Sequence, residues 1–477
     1  YNRQTPFYIA CFNGHIDIAK LLLNDNRVNK TQTENDYWTS FWMACYDGHL
    51  EIVKLLLNDQ KVNLNKINNL GQTPFYSACF NGHINIVELL LNDERIDKTR
   101  TKNDYWTSFW IACYEGNIEA VKLLLNDNRV DINKANILGQ TPFLIACEKG
   151  HLKIVELLFH KIKDINQTNN LGQTPFYLAC FNGKTEVAKL LLNDERVNKT
   201  QTVNDYWASF WMACYDGNID IVKLLFCDQK VDMNQTSSLG QTPFYSACEK
   251  GHLKIVRLLL HDQRVDINKS NDLGETPFYI ACENRHIKIV GLLLYDQKVN
   301  INKANNLGQT PFYIACWKGH IDIVELLLND QRIDINKTNN LGQTPFYLVC
   351  FNGKTEVAKL LLNDKRVNKT QTVNDYWTSF WMACYDGNIE IVRLLLNDNR
   401  VDINQANNLG QTPFLIACFN GHIEVVKLLL NDNRVEINQA NNLGQTSFYI
   451  ACENGHIEIV RLLLNDQRID INQAENK

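Results

Sequence analysis

Between Thr73 and Asp97 the chain reads TPFYSACFNGHINIVELLLNDERID, two apolar stretches separated by a short polar break. Thr73 suits a helix N-cap and Pro74 the first helical position, so a short helix is predicted through about Phe80. Asn81-Gly82 stops it, because glycine takes the left-handed conformation at no steric cost. A second helix is predicted from about Ile84 to Leu91. Its polar positions, Asn85, Glu88 and Asn92, fall on one narrow stripe, and the rest of its surface is apolar. A helix of that kind packs on both flanks. The Asn-, Asp-, Lys- and Gln-rich stretch that follows leads into Leu-Gly-Gln and reads as a turn or hairpin.

This unit recurs along the whole chain. Its frame starts at Thr5, 39, 73, 107, 141, 174, Ala208, Thr242, 276, 310, 344, 378, 412 and 446, always 34 residues apart except for one step of 33 from Thr141 to Thr174. All nine prolines and fourteen of the fifteen cysteines keep the register. A constant period of this length means a solenoid, in which each unit buries its apolar face only against its neighbours. The expected architecture is therefore one elongated all-α array over residues 1–477 rather than several globular domains.

The recurring Gly-x-Thr-Pro-(apolar)-x-x-Ala, then x-Asn-Gly-His, then (Ile/Val)-Val-x-Leu-Leu-Leu, then Asp-Ile-Asn resembles the ankyrin repeat. The resemblance covers the whole chain and implies paired antiparallel helices, a β-hairpin projecting at each repeat boundary, and a curved stack whose concave face binds protein partners. Some positions depart from the family pattern. Phe stands where Leu is usual, as at Phe75, and Tyr or Trp replaces the usual His, as at Tyr76 and Trp110. These changes alter the surface rather than the fold.

Composition narrows the function. With 48 Lys+Arg against 53 Asp+Glu, mixed in sign within each repeat, no basic stripe forms, which argues against nucleic acid as a partner. The register cysteines follow an Ala in every copy but one, where Val349 stands. They read as small apolar residues at a close helix approach rather than a disulfide framework, which points to a reducing, cytoplasmic setting. No apolar run is long enough to span a membrane. The chain begins inside a repeat at Tyr1 and ends at Lys477 without a polar capping repeat at either end, so further repeats or domains are expected beyond both ends. Nine of the eleven histidines occupy the Asn-Gly-His type position, one per repeat. That spacing makes no metal site, and a local hydrogen bond at the helix start is expected instead. No phosphate loop, nucleophile elbow or Cys/His pair stands out, so neither catalysis nor a cofactor is expected.

The candidate site is aromatic. Ten repeats carry NLGQTPFY or a close variant, and four carry NDYW(T/A)SFW. Those four hold eight of the nine tryptophans. They place Tyr37-Trp38, Tyr105-Trp106, Tyr206-Trp207 and Tyr376-Trp377 in the hairpin, and Trp42, Trp110, Trp211 and Trp381 in the first helical turn. Four residues further on, after the cysteine, ten repeats have an aromatic residue. These include Tyr46, Tyr114, Tyr215, Trp317 and Tyr385, and by the resemblance they point into the groove. The two positions share a helix face. They serve either as interface anchors or as a packed ladder between repeats. Four repeats have Glu at the second position (Glu148, Glu249, Glu283, Glu453), which favours exposure. Arg285 in the inter-helix Gly position and Gly291 inside a helix predict a softer stretch near residues 283–295. The expected function is a non-catalytic scaffold for protein partners. A structural spacer or spring, or the targeting arm of an enzyme such as a ubiquitin-ligase adaptor, are the alternatives.

Overall fold

The computed structural model describes residues 5–25, 27–28, 39–68, 70–97, 107–198, 209–228, 231–368 and 378–471. Among them are 28 helices and no strand, two helices per repeat. The third repeat is representative, with a first helix Pro74–Asn81 and a second Ile84–Leu91. Thr73 Oγ1 accepts the Tyr76 amide at 3.0 Å, and Pro74 starts the helix without wasting a donor.

A glycine follows every first helix but one within two residues, for two reasons. Gly48 sits at φ 84°, and a Cβ there would lie 2.6 Å from Cε1 of His83 in the next repeat. Arg285 replaces this glycine and still adopts φ 61°, alone among the described non-glycine residues. Its Nε bonds Asp322 Oδ1 of the following repeat at 3.1 Å.

Contacts group the repeats into two units, Tyr1–Ser238 and Leu239–Lys477. Within each, first helices pack closely on the first helices of adjacent repeats and second helices more loosely on theirs. Phe and Cys from the first helix, with Ile, Val and Leu from the second, form the core, as with Phe75, Cys79, Ile86, Val87 and Leu90. All fifteen cysteines are free thiols, and thirteen are buried, the exposed pair being Cys227 and Cys452. Burial pushes the Cys11 and Cys180 thiols up to about 12.

Polar side chains bond adjacent repeats across 30 to 38 residues of sequence. Asn302 donates from Nδ2 to the Arg332 carbonyl at 2.7 Å and accepts the Asp334 amide at 2.9 Å. Asn302 thus imitates a pair of backbone bonds, and Asn166, Asn268, Asn336 and Asn404 do the same. Asp364 holds Arg366, whose Nη2 reaches the Leu328 carbonyl at 2.6 Å, at the negative end of the helix Ile321–Leu328.

The histidine expectation is corrected here. These residues do not cap their own helices. His83 Nε2 donates instead to the Tyr46 carbonyl at 2.8 Å, and His422 to the Tyr385 carbonyl at 2.7 Å, one repeat back. The expected β-hairpins are corrected too, since the described boundaries are turns. Asn305 Oδ1 accepts the Leu307 and Gln309 amides, and Asn305 N donates to the Gln309 carbonyl. Adjacent turns then share a single backbone bond, such as Asn306 N to Leu273 O at 2.9 Å, too little pairing for a ladder.

Candidate aromatic interaction face

Two positions one turn apart on the first helices hold rings in most repeats and form two tiers. The lower tier lies three residues after the N-cap, where the helix meets the next repeat. Trp42, Trp110, Trp211 and Trp381 stand here, each no more than 2% exposed. Trp42 Nε1 donates to the Gln72 carbonyl at 3.1 Å, and Trp110 and Trp381 do the same to Gln140 and Gln411. Most tyrosines at this level are also buried, and the hydroxyls of Tyr245, Tyr279 and Tyr313 meet the next turn. Tyr279 Oη, for example, donates to Gln309 Oε1 at 3.3 Å and accepts from Asn305 Nδ2 at 3.2 Å.

The expectation that Trp42, Trp110, Trp211 and Trp381 share an open groove surface with the second aromatic position therefore needs correction. One helix turn is enough to separate the two positions by depth. The indole is the largest side chain available to fill the space between two first helices, and its N–H finds a carbonyl at the far side.

The upper tier is accessible. Tyr46 and Tyr385 are 37% exposed and Trp317 is 41% exposed, while Tyr114 and Tyr215 are half-buried. In eight repeats the upper ring stacks on the lower one. Trp211 and Tyr215 stack at 4.9 Å, Trp42 and Tyr46 at 5.0 Å, and Trp381 and Tyr385 at 5.4 Å. Tyr46 also lies 6.5 Å from Phe80 of the next repeat, so rings approach along the row as well as down into it. Lys149 Nζ sits 4.4 Å above the Tyr114 ring, and Lys318 bonds Glu283 at 3.2 Å. The row is thus a sequence of fixed rings and carboxylates with cations at its margin.

The hairpin residues Tyr37, Trp38, Tyr105, Trp106, Tyr206, Trp207, Tyr376 and Trp377 lie outside the described residues. Sequence reasoning missed the turn leucines. From Leu138 at 56% to Leu70 at 69%, every Leu of an Asn-Leu-Gly or Ile-Leu-Gly turn is exposed. The signal was available, because an apolar residue recurs inside a segment that turn chemistry fills with polar ones.

Among the described residues no group of three or more His, Cys, Asp or Glu is placed to hold a metal ion, and no helix is long and apolar enough to cross a membrane. Comparison with curated proteins yields no match. A family model described as ankyrin repeats in three copies matches residues 7–102, 109–203, 210–305, 264–339, 298–373, 331–407 and 380–475. Ankyrin repeats are in general modules of protein–protein interaction. Helix pairing, repeat length and this match agree from end to end: the chain belongs to the ankyrin-repeat family.

Proposed function

We propose that this chain is a non-catalytic protein-interaction scaffold whose contact surface is the upper aromatic tier. The observation that carries the reading is the stacking of accessible rings on buried ones, as at Trp381 and Tyr385. A ring held from below loses little side-chain freedom when a partner covers it, so more of the burial becomes affinity. Tyr and Trp are also the side chains that most often dominate interface energy. Trp38, Trp106, Trp207 and Trp377, which precede the first helices of their repeats, are included as further contact residues. The buried lower-tier tryptophans act through packing.

Panning a random peptide library on the chain tests this directly. Selected peptides are expected to bind the triple variant Trp317→Ser, Phe351→Ser, Tyr385→Ser about tenfold more weakly or worse. A parallel variant, Trp377→Ala, isolates the contribution of that tryptophan. Peptides indifferent to both variants would refute the assignment of the site.

A further inference from the structure

In the second unit four successive turns present Leu239, Leu273, Leu307 and Leu341, all exposed. The turns are tied in series, with Asp272 N on the Leu239 carbonyl at 3.1 Å, Asn306 N on Leu273 at 2.9 Å and Asn340 N on Leu307 at 3.0 Å. The leucines are therefore a single file fixed at the repeat pitch. A lysine precedes each of the last three by four residues: Lys269, Lys303 and Lys337. Lys269 and Lys337 are exposed, and Lys303 Nζ reaches Ser270 Oγ of the preceding turn at 3.5 Å. In the four segments that end in Leu-Gly, 237–240, 271–274, 305–308 and 339–342, Asp272 is the one acidic residue, and Glu275, just after it, is held inward by Asn271 and Tyr245.

We propose that this strip docks an acidic polyproline-II segment carrying an apolar residue at every third position. The repeat pitch set by helix-on-helix packing is about 10 Å. A polyproline-II chain has three residues per turn and returns to the same face every ~9 Å, close to that pitch. A β-strand alternates faces with every residue, so its third residue points away. Strand addition is also closed off, because the leucine carbonyls along the file already accept amides of the next turn. An α-helix would offer a stripe about 100° wide to a strip one side chain wide, with its carbonyls spent internally. Polyproline II has its carbonyls free, and the lysines that precede the leucines by four residues supply donors in the same turns. The same lysines select acidic residues at the positions between the apolar ones. Four leucines span about 30 Å, the length of roughly ten such residues.

The test is fluorescence anisotropy with the full chain and synthetic peptides of about twelve residues. The first repeats Leu-Pro-Asp. The second has the same composition with its leucines moved to alternate positions within one block of roughly half to two-thirds of the peptide, and the third is a heptad-spaced acidic helix. The first is expected to bind, to weaken as salt is raised, and to bind about tenfold better than the other two. The paired variant Leu273→Ser, Leu307→Ser is expected to lose about tenfold, as is Lys303→Glu, with unchanged circular dichroism because both sites are on the surface. The triple variant of the aromatic row is expected to leave this binding intact, which separates the strip from the site proposed above. The proposal is overturned if the register-two or helical peptide binds as well as the first, if no peptide binds, if only the aromatic variant abolishes binding, or if the leucines serve instead to hold phosphatidylserine-containing vesicles.

Discussion

Replacing Trp381 by alanine removes a side chain that is 2% exposed and wedged between two first helices, Ser379–Tyr385 and Pro413–Phe419. Truncating a buried Trp to Ala costs about 3–5 kcal/mol. The lost indole bond to the Gln411 carbonyl contributes about 1 kcal/mol of this at most, because that carbonyl keeps the Asn407 amide at 3.0 Å. The cavity accounts for most of the loss. Tyr385→Ala, one turn away, removes a ring already 37% exposed and forfeits mainly its stack on the indole, about 1 kcal/mol. The expected difference between the two variants is therefore about 3 kcal/mol. Guanidinium denaturation followed by circular dichroism measures it. Hydrogen exchange must accompany that measurement, because repeat arrays unfold in parts and the loss should concentrate in residues 379–430. A Trp381→Ala effect under about 1 kcal/mol, or a Tyr385→Ala effect of equal size, would refute the division of the aromatics into a packing tier and a contact tier.

His422→Ala is expected to cost about 1 kcal/mol through loss of the bond to the Tyr385 carbonyl, while His422→Asn is expected to be nearly neutral. Asn388 fills the same role one repeat earlier, donating to the Phe351 carbonyl at 3.0 Å, and thermal denaturation of the two variants checks the ranking. Arg285→Gly relieves a left-handed backbone worth about 1 kcal/mol and gives up an exposed ion pair to Asp322 worth less. It should raise hydrogen-exchange protection across residues 283–295, and unchanged protection there would count against local strain. Iodoacetamide under native conditions should label Cys227 and Cys452 while sparing the buried thiols, which mass spectrometry resolves site by site.

Much of the fold was legible because its signals are local. Thr-Pro, the Gly stop and the apolar spacing lie within a few residues of the helices they specify. The predicted first helix through about Phe80 and second helix Ile84–Leu91 match the observed Pro74–Asn81 and Ile84–Leu91 closely. The left-handed Arg285 followed from its register position alone. The candidate site was legible only in part. Exposure of the upper tier was readable from its Glu substitutions, whereas the depth of Trp42, Trp110, Trp211 and Trp381 was not.

The sequence by itself determined the period, the helix pairs, their caps and the family, since each depends on a residue and its near neighbours. Only the tertiary structure decided which ring is buried, where His83 and Asn302 send their hydrogen bonds, and that the turn leucines stand open. Those outcomes depend on contacts made 30 or more residues away, across the gap between one repeat and the next. A periodic sequence places the same residue types at that gap again and again without stating how far apart the two surfaces stand. Burial and hydrogen bonding depend on that separation, and the packing of one first helix on the next sets it.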